Sequence, residues 1–396
     1  MHLISRSKRP HLAFFMLVLL SLTLIASLPR DAAAQLENTW ELKIPKTRLD
    51  GVYGVVGGDG KVYIYKNSFS CYDPSTNDFI KKAPLVLPFN GDRRGDSVVY
   101  DAVALQNEIY MIGGVHSVWQ NLDYTFIRIY NISDDSWTNG TATDYHIEDF
   151  PMANVVDGKI YLLDGRSGRL GVLDPASNTW IIKTPLPVWY LSMETVDTRI
   201  DQTVVINDRI YCFTSPNNNS PPRMIIYDTK TDTWLPGADL PFTDSEESYD
   251  VFACATSGRY DPQKIYYIGA ALFQPTNVSF NYVYDPANGS WSTAKPLLTP
   301  SLGYYANTVL EDKIYYFDVG GSGIEVYTPI GYSTTPLPPS PPPIYPQANP
   351  IPKTNPLVYA HLAIVAIIVA LSILLVLIYL HRFKARKAVP PKNRLP

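Results

Sequence analysis

The chain has 396 residues, with 33 Lys plus Arg against 37 Asp plus Glu, a formal net charge of −4, 34 prolines, 28 tyrosines and three cysteines. This composition excludes a disulfide-stapled scaffold, a collagen-like chain and a disordered polyelectrolyte. The charge is unevenly placed: residues 35–380 carry 23 basic and 36 acidic side chains, net −13, which disfavours a nucleic-acid partner.

Residues 1–34 have a basic start (Arg6, Lys8, Arg9), a largely apolar run from Leu12 to Leu28, and the small residues Ala32 and Ala34. They are expected to be a secretory signal peptide cleaved before Gln35, with an uncleaved signal anchor as the alternative.

From residue 39 the chain becomes periodic. Apolar-tyrosine pairs recur at Val62-Tyr63, Ile109-Tyr110, Ile160-Tyr161, Ile210-Tyr211, Ile265-Tyr266 and Ile314-Tyr315, with tyrosines 47, 51, 50, 55 and 49 residues apart. Six units near 50 residues, rich in Val, Ile, Tyr and Thr and punctuated by Gly, Pro, Asn and Asp, predict a β-repeat. Each unit divides into four short strands, a to d. Strand a is apolar, and strand b follows a tight turn such as Asp157-Gly158, Asn207-Asp208 or Glu311-Asp312, residue types that tolerate positive φ.

Strands c and d are joined by a phrase that recurs as CYDPSTNDF, IYNISDDSW, VLDPASNTW, IYDTKTDTW and VYDPANGSW. From Asp73, Asn131, Asp174, Asp228 and Asp285 to Phe79, Trp137, Trp180, Trp234 and Trp291 the count is always six. A constant count predicts a constant hairpin. The Asp or Asn accepts hydrogen bonds from amides two residues on, and the aromatic packs between neighbouring sheets.

These units resemble the kelch motif over about residues 39–329, although the paired glycines of its second strand survive only at Gly113-Gly114, with Gly269 and Gly320-Gly321 as partial echoes. The resemblance implies an all-β, six-bladed β-propeller spanning residues 35–331. The sixth unit lacks its Trp strand, while Asn38-Thr39-Trp40 repeats Asn178-Thr179-Trp180, so the N-terminal strand should close the last blade. The cysteines, Cys71, Cys212 and Cys254, are 141 and 42 residues apart, which fits no zinc motif. They are read as buried hydrophobes, with a Cys212–Cys254 bridge left open.

In an up-and-down blade the a–b and c–d turns share one face, and the b–c and d–a connections share the other. From the strand-b Tyr to the strand-c turn residue the counts are 10, 21, 13, 17, 19 and 13, so the second face is variable and is the expected binding face. Trp119, Tyr124, Asp149, Trp189, Tyr190, Arg199, Tyr249 and Asp250 are the candidate binding residues there. Aromatics beside carboxylates suit a glycan, and equally a cationic or peptide ligand. Packed loop aromatics and solvated acids are the bland alternative.

A non-catalytic binding function, with no cofactor and no metal, is expected. The runner-up is an extracellular carbohydrate-active enzyme using the propeller mouth. The kelch resemblance includes galactose oxidases, but His116 and His146, both in blade two, depart from the spread of copper ligands over several blades in that group. Sequons at Asn131, Asn139, Asn218, Asn277 and Asn288 allow N-glycosylation, with Asn131 and Asn288 on the tight-turn face.

Residues 332–356 hold ten prolines in 25 positions and read as an extended stalk reaching roughly 75 Å. Leu357 to Leu380, 24 residues with His361 as the one ionisable side chain, reads as a transmembrane helix. Residues 381–396 hold six basic side chains and no acid, which places them in the cytoplasm and the propeller outside.

Overall fold

The computed structural model describes residues 37–45, 54–65, 68–88, 96–117, 122–141, 151–187, 199–214, 222–241, 249–271, 278–298, 305–318, 323–339, 349–353, 364, 367–368 and 370–374. They form six antiparallel four-stranded sheets arranged as the blades of a propeller. β1 (Thr39–Pro45) opens the chain. Blade 1 holds β2 (Gly54–Gly58), β3 (Lys61–Tyr65), β4 (Phe69–Asp73) and β5 (Asp78–Lys81) as strands a to d. Blade 2 holds β6 (Asp96–Leu105), β7 (Glu108–Ser117), β8 (Leu122–Asn131) and β9 (Ser136–Asn139). Blade 3 holds β10 (Pro151–Val156), β11 (Lys159–Asp164), β12 (Leu170–Asp174) and β13 (Thr179–Ile182). Blade 4 holds β14 (Ile200–Ile206), β15 (Arg209–Thr214), β16 (Arg223–Asp228) and β17 (Thr233–Asp239). Blade 5 holds β18 (Tyr249–Ala255), β19 (Ile265–Ala271), β20 (Val278–Asp285) and β21 (Ser290–Thr293). Blade 6 holds β22 (Tyr305–Leu310), β23 (Lys313–Asp318) and β24 (Gly323–Thr328), and β1 completes it as the outer strand.

The local rules hold. Positive φ falls on Asp157, Asn207, Glu311 and Asp312 in the a–b turns. In the c–d turns Asp73, Asp174, Asp228 and Asp285 each accept the amide two residues on, at 2.9–3.2 Å. Asn131 instead accepts from Asp134, three residues on.

Apolar residues of both sheet faces meet their counterparts on the next blade, so the core is six inter-blade clusters. Cys71, Cys212 and Cys254 are buried free thiols. Cys212 packs between blades 3 and 4 and Cys254 between blades 5 and 6, which removes the possible bridge. Phe79 does not pack between sheets as expected; 40% of its surface is exposed.

Three of the six junctions carry a further device. The residue four past the strand-d aromatic of blades 1, 3 and 5 is Ala83, Thr184 or Lys295, each followed by Pro-Leu. Its amide donates to Asp135, Asp232 or Asn38 of the next blade at 2.7–3.0 Å. Its carbonyl accepts from the indole of Trp137, Trp234 or Trp40 at 2.8–2.9 Å. The same Asp or Asn oxygen accepts the hydroxyl of Tyr130, Tyr227 or Tyr327 at 2.6–2.9 Å. Leu186 and Leu297 then enter the cores of the two latter junctions, and Leu85 lies half-buried against the first.

The seam between the chain ends is one of these clamps. β1 pairs antiparallel with β24, Thr39 opposite Thr328 and Trp40 opposite Tyr327.

The proline-rich segment does not stand clear of the ring where it is described. Ser333 and Leu337 donate their amides to the carbonyls of Tyr260 and Arg259 at 2.7 Å, and Tyr332 stacks on Tyr260. Ile351 donates to the Trp234 carbonyl at 2.7 Å and is buried between blades 3 and 4. Proline runs leave few donors, and here two of them and one isoleucine find partners on the tight-turn face.

That face holds a buried carboxyl. Asp261, in the long a–b loop of blade 5, is fully buried; Oδ2 accepts from the Tyr266 hydroxyl at 3.1 Å and Oδ1 has no partner. Burial pushes its pKa up to about 7, against a downward pull from Lys264, while nearby Asp312 adds to the rise. Asp312 accepts the amides of Ser257, Tyr260 and Asp261, which fixes the loop beneath Tyr332.

Among the described residues no helix is long and apolar enough to cross a membrane. Of residues 357–380 the structure describes 364, 367, 368 and 370–374, which are helical and exposed. Residues 1–34 and 381–396 lie outside the described residues.

Two outcomes follow from these contacts. Trp40→Ala should lower the unfolding free energy by about 3–5 kcal/mol, as for other buried aromatics, and calorimetry that returns the wild-type melting temperature would refute the closure. Asp261 has a raised pKa, so its stabilising contribution is present at low pH, falls as pH rises from the ordinary carboxylate range, and is lost above about 7. Asp261→Asn should therefore gain stability relative to wild type between pH 5 and 8, read from denaturant unfolding; parallel pH profiles would contradict the assignment.

Candidate functional site

Strand a is the innermost strand of every blade, and one of its edges faces the axis without a sheet partner. An open edge needs other acceptors for its amides. Here side chains of the preceding blade supply several. Asp101 Oδ2 of blade 2 accepts from Ala153 of blade 3 at 2.7 Å, and Oδ1 accepts from Ala102 at 2.8 Å. Gln202 of blade 4 accepts from Ala253 of blade 5 at 3.3 Å. Thr308 of blade 6 accepts from Gly57 of blade 1, and Asn154 donates to Thr203, both at 3.0 Å. Asp101 and Gln202 occupy equivalent positions, two before the residue that faces the strand-b tyrosine.

These residues surround a cavity of about 420 Å³ on the axis, lined by strand a of all six blades and by Tyr65. Its walls come mainly from the first half of each strand a, so it lies toward the d–a connections, on the variable face. Asp101 and Asp201 are its charged lining residues. Burial raises the Asp101 carboxyl to about 6, and the two amide hydrogen bonds pull in the opposite direction. Tyr65 is buried, its hydroxyl pKa pushed well up by burial and then by Asp101. Gly54 makes room for that ring, since a Cβ at residue 54 would collide with the Tyr65 hydroxyl. The site therefore offers carboxylates, an amide and hydroxyls beside aromatic faces, the equipment for binding hydroxyl-bearing or cationic groups.

Of the eight sequence-derived candidates, four lie within the described residues. Tyr124, Tyr249 and Asp250 lie in strands and not in loops: Tyr124 pairs with Val115 in blade 2, and Tyr249 and Asp250 pair with Ala271 and Ala270 in blade 5. Blade 2 extends its first three strands to ten residues each, because Val, Tyr, Thr and Phe continue the ladder past the usual length. Arg199 is half-buried just before β14. Trp119, Asp149, Trp189 and Tyr190 lie outside the described residues, as do the sequons Asn218 and Asn277. Asn139 and Asn288 are exposed, whereas the Asn131 oxygen is engaged by Asp134 and Asn107.

Asp101, Gln202 and Tyr65 were missed. The available signal was a polar residue inside an apolar strand a, at the same offset from the paired tyrosine in two blades.

No protein-family profile matches the chain. The Kelch-like protein terF of Aspergillus terreus is 25% identical over 244 residues, covering 56% of this chain and 49% of the relative, so the match spans about half the relative's length. Among solved structures, that of YjhT superposes with a TM-score of 0.50 at 13% identity, over 72% of this chain and 95% of YjhT, which speaks to the fold alone. A fungal alcohol oxidase of the AA5 family in complex with copper gives a TM-score of 0.44 at 13% identity, over 72% of this chain and 64% of the oxidase, too low to carry an argument here.

Removing the Asp101 acceptor should cost about 1–3 kcal/mol, the usual penalty for an orphaned buried amide. Asp101→Ala should therefore lose more stability than Asp101→Asn, which keeps an oxygen for Ala153; equal losses in chemical denaturation would show that the cross-blade bond is idle. The ring of blades and its closure by the first strand make this chain a six-bladed β-propeller, and its sequence is similar to that of a Kelch-like protein.

Proposed function

We propose that the propeller is a cell-surface binding module, held by a single C-terminal membrane helix, that takes a protein or glycan ligand on its variable face and around the axial cavity. The observation that supports this reading is the unlikeness of the two faces. One is occupied by short hairpins locked by Asp and Asn and by the docked residues Tyr332–Leu337 and Ile351. The other carries the variable connections and the cavity with Tyr65, Asp101 and Gln202. The extracellular location rests on the sequence of the two ends, and with it the use of the sequons.

A second reading is favoured by one observation. Asp101 and Asp201 share a cavity, and a carboxyl raised to about 6 is suited to general acid work. That reading makes the chain a carbohydrate-active enzyme of the cavity.

A glycan array and a panel of surface proteins, probed with the full-length protein in nanodiscs, separate the two: a retained ligand supports binding, and conversion of an oligosaccharide supports catalysis. Once a ligand is found, Trp119→Ala and Trp189→Ala should weaken it tenfold or more, in the range of exposed aromatic hot spots. Asp174→Ala and Asp228→Ala, which loosen hairpins on the opposite face, should leave affinity unchanged at a temperature where all variants are folded. Equal loss in both pairs, or loss only in the second, removes the case for the variable face.

A further inference from the structure

The turn between strands c and d of blade 5 departs from its equivalents at two adjacent positions. At the residue with positive φ the other blades carry Asn77, Asp135, Asn178, Asp232 and Asn38, and blade 5 carries Gly289, at φ +71°. In blades 1, 2, 4 and 6 the side-chain oxygen of that residue accepts the hydroxyl of the strand-c tyrosine, Tyr72, Tyr130, Tyr227 or Tyr327, at 2.6–3.0 Å. Glycine has no oxygen to offer Tyr284, the strand-c tyrosine of blade 5, and a Cβ at residue 289 would meet only the Tyr284 hydroxyl, 3.9 Å away. The carboxamide stands one position earlier, at Asn288, where blades 1 to 4 place Thr76, Asp134, Ser177 and Thr231. That shift creates the sequon Asn288-Gly289-Ser290.

Beside Gly289 is a cavity of about 310 Å³, lined by Tyr284, Pro286 and Asn288 from blade 5 and by Leu235 and Pro236 from blade 4, among others. Its lining is mainly apolar, and Arg209 at its edge is paired with Asp228 at 3.1 Å, both largely buried, so it suits a neutral occupant. Asn288 is exposed and held in one orientation. Its Oδ1 accepts the amide and the hydroxyl of Ser290 at 2.9 and 2.6 Å, and its Nδ2 donates to Asp285 at 3.2 Å. An amide nitrogen that carries a sugar keeps one hydrogen, so all three bonds are compatible with the modification. Asn139 is also exposed, but it lines neither this cavity nor the axial one.

We propose that Asn288 carries an N-linked glycan whose innermost N-acetylhexosamine lies in this cavity, its apolar ring face against Tyr284, Pro286 and Pro236. The inference rests on the extracellular placement proposed above, which brings the chain to the sugar donor, a lipid-linked oligosaccharyl diphosphate. Nδ2 bonds to the anomeric carbon as the bond from that carbon to the diphosphate oxygen breaks; the diphosphate leaves with the electron pair, and Nδ2 gives up one proton. A small cavity with an aromatic and two prolines on its walls matches one sugar ring, whose C–H face is apolar and whose hydroxyls point to water. The glycan then occupies the space that a turn side chain holds in the other blades, and covers the junction between blades 4 and 5.

The test uses the full chain made in a eukaryotic secretory host that adds high-mannose glycans. Glycopeptide mass spectrometry should find sugar on Asn288. Hydrogen exchange across residues 234–239 and 284–290 should be the same before and after endoglycosidase H, which leaves the innermost sugar in place. In Asn288→Gln and Ser290→Ala it should be about fivefold faster, as for the loss of one modest contact. Ser290→Thr, which keeps the sequon, should match wild type, and Asn139→Gln should leave both segments unchanged. A bare Asn288 with sugar at another sequon, exchange that ignores the loss of the glycan, or exchange that rises on trimming as much as in Asn288→Gln would overturn the inference and leave the extracellular placement standing. No sugar on any sequon would overturn both. Should Asn288→Gln and Ser290→Ala fail to fold, removing the whole glycan from folded wild type with peptide N-glycanase replaces them in the same comparison.

Discussion

A four-stranded sheet with apolar side chains on both faces has no interior of its own, and this constraint governs the whole molecule. Every blade here buries its faces only against the blades on either side, so the six cores are shared property of neighbouring repeats. A linear stack of such sheets would end in two wet apolar faces. Closing the stack into a ring removes both ends, and the ring in turn stands or falls with the one seam where the chain is not covalently continuous between strands, β1 against β24.

Six repeats do not make six equal junctions. Ala83, Thr184 and Lys295 reach across to the next blade, and each is gripped at its amide and its carbonyl by a Tyr, Asp or Asn, and Trp set. The ring is therefore a trimer of blade pairs as much as a hexamer of blades. The seam falls within a gripped pair, 5 to 6, so the weakest covalent point coincides with one of the strongest non-covalent ones. The ungripped junctions are free of that demand, and between blades 4 and 5 the freedom takes the form of a cavity.

Much of this was legible in the residues. The number of blades, the hairpins and the closing strand follow from patterns that act over a few positions: a period of two, an Asp six before a Trp, a Gly or Asn where φ is positive. The alternation of junctions was not read, although Pro-Leu follows the strand-d aromatic at the same distance in blades 1, 3 and 5 alone, because its meaning depends on a partner about 50 residues away. The axial cavity escaped for the same reason. Asp101 and Gln202 each serve the amide of the next blade, and their shared offset from the paired tyrosine does not reveal that distant partner. Proline count alone did not reveal that Ser333, Leu337 and Ile351 are held by carbonyls that only the assembled ring presents.

That holding determines how the ring meets tension. Ile351 sits under blade 4, Leu337 and Ser333 under blade 5, and β24 lies beyond them in blade 6, so the attachments are arranged in series along the chain. A load applied downstream of residue 353 reaches Ile351 first, then Leu337, then Ser333, and only after these have yielded does it bear on the β1–β24 seam. The short contacts act as mechanical fuses. Each gives way locally and releases a stretch of chain, and the seam on which all six blades depend is the last element to feel the pull.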